Sequence, residues 1–304
     1  MRSELGAEAP LDSRLDLELV RLTTPTDAAA PTNAFTVDVE DWYQSSIDFD
    51  AAISERVVRN TDRLLLVLDE CGVKGTFFVQ GKVAETFPRL VASLVEQGHE
   101  VQAHGYSHRP LYSMDRVALR SEVERAKKTV EDAAGTAVTA FRAQDFSILE
   151  RNLWALDALE EAGFQVDSSI FPMRSRNYGI PGWQVAPHRV RLASGGSLLE
   201  VPVAVWGAGR MRVPVAGGGY FRVLPKQLLL QALRSISSQR PAVVYCHPYE
   251  FSPEELDDYR GRLPRRLLFS QSLGRGSFAD RVRTLLTRLR FGRFDAVLAA
   301  WGLM

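Results

Sequence analysis

The stretch Glu100-Val101-Gln102-Ala103-His104-Gly105-Tyr106-Ser107-His108 places two imidazoles four residues apart, the first at the end of an apolar, strand-like run. A turn after His104 lets both rings face one point, and neutral imidazole is the commonest side-chain metal ligand. Taken alone, such a pair is more often two surface histidines in a turn. The chain, however, holds only five histidines, His99, His104, His108, His188 and His247, and other polar groups occupy matching places. Thr36-Val37-Asp38-Val39-Glu40-Asp41, Phe141-Arg142, Val166-Asp167-Ser168-Ser169 and Tyr245-Cys246-His247-Pro248 each put chemistry at or near the end of a strand-like run.

Working outward, strands are expected over residues 34–38, 75–79, 101–104, 138–141 and 164–167, with later ones at 198–202 and 242–247. Helices fall between them. Residues 56–71 carry Val57, Leu64, Leu65, Val67 and Leu68 at helical spacing and stop before Gly72. Residues 82–97 contain Pro88 near the first turns, Asp115 caps a charged helix over 116–134, and 152–162 form the next. Alternation of strand and helix at a spacing of about thirty residues implies parallel strands joined by right-handed crossovers. Polar groups gathered at strand C-termini favour an α/β barrel, where chemistry collects at that end. An open doubly wound sheet is the competitor, but no GxGxxG follows the first strand, and acidic residues fill that turn.

Residues 1–33, rich in Ala, Pro and Thr, read as a mobile tail with one weak apolar patch, Leu15 to Leu22. Residues 174–225 break the rhythm, with Gly, Pro and Trp prominent. Pro214 to Arg222 includes three consecutive glycines, which either bring backbone close to a ligand or form a flexible hairpin; on the first reading Gly218, Gly219 and Tyr220 bind substrate. A helix is expected over 224–237. From Phe251 onward ten arginines face six acids, with 281–290 as a basic helix, read as a solvated face packed on the domain or, less often, a contact with an anionic polymer or partner.

Basic and acidic residues balance at 37 each, so no global field points to nucleic acid or a membrane surface. Cys71 and Cys246 are too few for a disulfide framework and read as small core residues. No run is long enough to span a membrane, and no apolar segment near the N-terminus suggests a secretory signal, so the expected compartment is the cytoplasm.

Two histidines and a carboxylate with an open position form the set used by catalytic zinc and related divalent ions, which lowers the pKa of a bound water. A hydrolase then needs a base and an acid. Asp38 and His247 are the candidates, with Arg142 and Asp167 as orienting partners.

Over residues 34–250 these motifs resemble the polysaccharide deacetylase family (carbohydrate esterase family 4, or NodB-homology domains). Val37-Asp38-Val39-Glu40-Asp41-Trp42 and Pro214-Val-Ala-Gly-Gly-Gly-Tyr-Phe-Arg222 resemble the branch associated with exosortase and exopolysaccharide loci, which has a C-terminal domain of unknown function and is similar to peptidoglycan deacetylases and allantoinases. The resemblance implies a distorted, partly closed (β/α) barrel of about seven strands over 34–250, with 251–304 as a basic, mainly helical extension. It implies Asp38 as base, His104 and His108 as metal ligands, Arg142 steadying the base, His247 as acid and Asp167 orienting it. The family commonly has adjacent aspartates where this chain reads Asp38-Val39-Glu40-Asp41. Strand alternation puts Asp38 and Glu40 on one face, so Glu40 is the expected third ligand and Asp41 the reserve. After Arg142 the family usually shows Ala-Pro-Ser, whereas this chain has Ala143-Gln144-Asp145. The implied cofactor is a divalent ion, zinc being expected. The implied substrate is an acetylated amino-sugar polymer or precursor, with exopolysaccharide assembly partners meeting the basic extension. An allantoinase-like hydrolase of a small cyclic amide and a non-catalytic carbohydrate-binding module are the alternatives.

Overall fold

A computed structural model describes residues 16–27, 29–175, 177–207 and 211–304. The strands are β1 (Leu17–Leu19), β2 (Asn33–Val39), β3 (Thr76–Val79), β4 (Glu100–Ala103), β5 (Ala140–Phe141), β6 (Val166–Asp167), β7 (His188–Arg191), β8 (Ser197–Glu200), β9 (Val205–Trp206), β10 (Val213–Pro214), β11 (Ala242–Cys246) and β12 (Phe291–Gly292). One sheet runs β1-β7-β8-β6-β5-β4-β3-β2-β11, and β9 and β10 form a separate pair. From β8 to β11 every pairing is parallel, while β7 and β1 are added antiparallel at one edge. The expected α/β layout is present, and the sheet stays open, with β1 and β11 at its ends.

All seven residues of β2 are buried, the pattern of a parallel strand covered on both faces. The covering helices are α1 (Trp42–Ser46), α2 (Arg56–Glu70), α3 (Gly81–Thr86), α4 (Pro88–Glu96), α5 (Arg116–Ala134), α6 (Ala155–Glu161), α7 (Gly218–Val223), α8 (Lys226–Ser237), α9 (Arg265–Ser272), α10 (Phe278–Arg288) and α11 (Phe294–Ala300). In α2, Val57, Leu64 and Leu68 face the core while Leu66 faces solvent, and each large apolar side chain so buried contributes roughly 1.5–3 kcal/mol. Asp115 caps α5 by accepting from the Ala118 amide at 2.8 Å, and Gly135 ends it in the left-handed region, φ 66°.

Three expectations need correcting. The helix expected over 82–97 is two helices, because Pro88 forbids helical geometry at Phe87, whose φ and ψ are −127° and 60°. Part of the expected tail is folded: β1 pairs with β7, and the Thr23 amide donates to the Trp301 carbonyl. The rest of that expectation, residues 1–15, lies outside the described residues. Finally, residues beyond 250 are not an appendage. β12 pairs with Asn33 and Ala34 of β2, on the edge not taken by β11. Phe278, Phe294 and Trp301 are fully buried in the main core. The basic character of this region is used internally in part: Arg281 donates to the Phe221 and Leu224 carbonyls, and Arg283 pairs with Glu70. Among the described residues no helix is long and apolar enough to cross a membrane.

Candidate active site

β2, β4, β5 and β11 point the same way, so the residues at their C-terminal ends meet above one edge of the sheet. Asp38 and Glu40 alternate onto one side of β2 and are buried, as are His104 and His108. Glu40 Oε2 lies 3.4 Å from His104 Nε2 and also contacts His108 Nε2, and the three ligand atoms lie within 4.8 Å of one another. His104 Nδ1 is 2.9 Å from the Arg142 carbonyl oxygen, a partner that takes the Nδ1 proton and leaves Nε2 free to ligate. His108 Nδ1 has no hydrogen-bond partner among the described residues, and its Nε2 meets only the Glu40 carboxylate. Two imidazoles turned toward one buried carboxylate fit a divalent ion.

The loop between the histidines is built to present them. His108 holds φ 66°, a left-handed conformation that costs a non-glycine residue of order 1 kcal/mol. Glu122, on the buried face of α5, accepts from the Tyr106 and Ser107 amides at 2.8 and 2.7 Å. Gly105 lies against the Gln144 side chain, which donates to the Arg109 carbonyl at 2.6 Å. Asp41, the reserve ligand, is committed elsewhere: it caps α1, accepting from the Tyr43 and Gln44 amides, and also accepts from the Ser54 amide and hydroxyl.

Burial would raise the Glu40 carboxyl, but His108, His104 and His247 hold it well below the usual range. Burial likewise opposes charge on His108, yet Glu40 outweighs it and pushes the imidazole up to about 9. A negative centre between two rings is the electrostatic counterpart of a cation site.

Asp38 accepts from Arg142 Nη1 at 2.8 Å. That guanidinium is fully buried, shared with Thr36 Oγ1 at 2.7 Å and Ser168 Oγ at 3.2 Å, and seated over the Phe78 ring. His247 Nε2 stands 3.9 Å from Glu40 Oε1. Its ring stacks on Tyr249 at 4.8 Å, and its Nδ1 meets Glu250 Oε2 at 3.3 Å. Burial would lower the His247 pKa, but the bond to Glu250 and the charge of Glu40 raise it.

Among the described residues no contact joins Asp167 to His247. Asp167 lies on β6, opposite Glu200 of β8, and accepts from Ser169 Oγ. Glu250 holds the imidazole instead. Sequence reasoning passed over it, although His247-Pro248-Tyr249-Glu250 is one tight turn that brings residue 250 back onto 247. Glu122 left a visible signal, a lone carboxylate among Leu119, Val123 and Ala126 on the buried face of its helix.

Gly217 precedes α7, and Gly218 lies against the Glu250 carboxylate where a Cβ would collide. The physical demand for glycine at 218 is therefore the acid's partner. Gly219 is exposed and Tyr220 half-buried. Asp145 and Phe146 both adopt left-handed conformations, φ 53° and 48°, after the Ala143-Gln144 step. Phe146 packs on Phe171, Tyr178 and Tyr245, leaving Asp145 exposed within electrostatic reach of His108 and Glu40.

The polysaccharide deacetylase family matches residues 44–166, and a domain of unknown function (DUF3473) matches residues 168–299. The two matched stretches meet at the end of β6 and contribute strands to the same sheet. The histidine pair and Arg142 fall in the first match and His247 in the second, while Asp38 and Glu40 precede both. The peptidoglycan-N-acetylglucosamine deacetylase of Bacillus cereus is 28 % identical over 120 residues, covering 36 % of this chain and 44 % of that protein. The chain therefore spans less than half of that curated relative. A solved structure from Mycobacterium smegmatis, provisionally named a polysaccharide deacetylase, superposes with a TM-score of 0.57 at 21 % identity over 91 % of each chain. Puue allantoinase superposes with a TM-score of 0.60 at 12 % identity, covering 92 % of this chain and 93 % of its own. At these identities the structural likeness speaks to the fold alone.

Proposed function

We propose that this chain hydrolyses N-acetyl groups from an amino-sugar polysaccharide or its precursor, using a divalent ion, zinc by expectation, held by Glu40, His104 and His108. The observation that carries the reading is the buried Glu40–His104–His108 set with two acid–base candidates near it, Asp38 held by Arg142 and His247 held by Glu250. The ion, when bound, supplies Lewis acidity toward a carbonyl oxygen and acidifies water. Asp38 accepts the proton of the attacking water. His247, at 20 % side-chain exposure the most accessible member of the set, donates a proton to the departing amine nitrogen. Arg142 fixes the Asp38 carboxylate through a charge-assisted bond, and Glu250 holds the imidazole by Nδ1 with Nε2 turned toward Glu40. Exposed Gly219 and half-buried Tyr220 are the candidates for contact with the saccharide. The domain match and the named relative support the N-acetyl sugar class over a cyclic amide.

The test is acetate release from acetylated chito-oligosaccharides by metal-loaded protein. Asp38→Asn and His247→Ala are expected to keep the metal and lose rate by roughly 10²–10⁴. Turnover of allantoin in place of acetate release, or wild-type rates in both variants, would overturn the assignment.

A further inference from the structure

β6 and β8 run parallel with Asp167 opposite Glu200, and both side chains are fully buried. Asp167 Oδ2 and Glu200 Oε2 have no donor among the described residues, yet the two carboxyls lie within hydrogen-bonding reach of each other. An ionised carboxylate only accepts, so two ionised groups cannot bond, and two like charges in the interior repel. One proton between them removes both penalties, turning one orphan oxygen into a donor and the other into its acceptor.

We propose that Glu200 shares a proton with Asp167 as a buried carboxylic acid–carboxylate pair, and that through this pair Glu200 is a positioning residue for Asp38. Asp167 Oδ1 accepts from Ser169 Oγ, whose oxygen takes the Ala143 amide at 2.8 Å. Glu200 Oε1 accepts from the Ile170 amide at 3.2 Å. Between them Ser168 Oγ accepts from Arg142 Nη2 at 3.2 Å and donates to the Val201 carbonyl at 2.8 Å. The pair thus stitches residues 168–170 to 200–201, and that stitch supports both Arg142 and the residue after it. The other charged or titratable groups facing the pair are Arg142, within electrostatic reach of Glu200, and His188, opposite Glu200 on β7 and kept toward its neutral form by burial. With one proton present the pair carries one negative charge, and Arg142 remains directed at Asp38. With none it carries two and competes for the guanidinium. Burial raises both carboxyls above the usual range, in keeping with one proton held between them.

The shared proton stands without the deacetylase reading; the positioning role rests on it. Chemical denaturation of wild type and Glu200→Gln is compared across pH. Above the unfolded carboxyl pKa of about 4.3, the native state holds one proton more than the unfolded chain. The wild-type unfolding constant should therefore rise, relative to the variant, about tenfold per pH unit until the native pair ionises. Glu200→Gln, whose amide donates permanently, lacks this slope, and the infrared carbonyl band of a protonated carboxyl seen in wild type at neutral pH should vanish. Parallel denaturation curves with no such band in wild type would overturn the pair. For positioning, Glu200→Gln should keep kcat, while Glu200→Ala should lower it roughly tenfold or more with KM unchanged. Equal kcat in wild type and Glu200→Ala would overturn that role, and where Glu200→Ala fails to fold, loss of kcat in Glu200→Gln does the same. If wild type itself releases no acetate, the deacetylase reading falls and takes the positioning role with it. The denaturation curves still decide the proton.

Discussion

Glu40 and Asp41 are adjacent acids, and their surroundings assign them different work. Glu40 faces two imidazoles, whereas Asp41 accepts from donors at the start of α1, Tyr43 and Gln44, and from Ser54 beyond it. Glu40→Gln should therefore lose most of the bound divalent ion with the fold intact. Asp41→Ala should keep the ion and lose about 1 kcal/mol of stability, the usual cost of an N-cap. Metal content after gel filtration, set beside denaturation midpoints, separates the two; metal lost only from Asp41→Ala would reverse the choice. At this scale the sequence was legible where alternation along one strand decides a side chain's direction, as at Asp38 and Glu40. It was not legible for Asp167. The partner of that residue depends on which strand lies beside β6, and β8 arrives there only after residues 174–196, whose Gly- and Pro-rich sequence carries no period to read.

Short elements set the geometry of the acid. α7 begins at the glycines, and Gly218 leaves room for the Glu250 carboxylate, which takes Arg222 Nε at 3.1 Å and His247 Nδ1 at 3.3 Å. Gly218→Ala should force Glu250 aside and reduce acetate release roughly tenfold or more through misplacement of His247, with the metal retained. Gly219→Ala, where a Cβ would meet nothing closer than Arg222 at 3.8 Å, should leave the fold unchanged. Equal rates in Gly218→Ala and wild type would show that Glu250 is not needed to hold the imidazole. At the far end of the sheet, the turn from α4 into β4 contains His99, whose Nδ1 accepts the Gly75 amide at 3.1 Å and whose ring sits edge-on to Phe77. Burial, with Lys74 and Arg293 nearby, lowers its pKa to about 4. Below the unfolded value of about 6.5 the unfolded chain binds the extra proton, so His99 costs stability as pH falls from 6.5 toward 4, by at most about 3 kcal/mol. His99→Gln should flatten that part of the stability–pH curve, read by urea denaturation at matched pH values. A slope identical to wild type would mean that His99 is already protonated in the fold. Most elements here were legible from period and caps; the break at Phe87 was missed because amphipathic spacing continues through Pro88 while the backbone cannot.

For the whole molecule, what matters is that the sheet and its last segment close on each other. A strand of two residues, Phe291-Gly292, carries too little pattern to be seen in the sequence, and the arginines around it suggested a solvated extension. Its pairing with Asn33 and Ala34 nevertheless ties the end of the chain to the strand that carries Asp38 and Glu40. The Phe294 amide donates to Thr76 Oγ1 at 2.7 Å, and Arg275 donates to the Tyr249 carbonyl beside His247. Phe278, Val282, Leu285, Phe294, Leu298 and Trp301 are all nearly or fully buried. At about 1.5–3 kcal/mol each, these six contribute about 9–18 kcal/mol, as much as the entire 5–15 kcal/mol stability of an ordinary domain. A chain ended at residue 250 should therefore not fold, although all the proposed ligands, base and acid remain in it. Trp301→Ala in the full chain should unfold more easily by about 3–5 kcal/mol, the range for an aromatic removed from a core. Circular dichroism and urea titration of the shortened chain provide the check. A cooperative transition with the full chain's midpoint would mean that residues 251–304 are dispensable, and that the site rests on β1 to β11 and their helices alone.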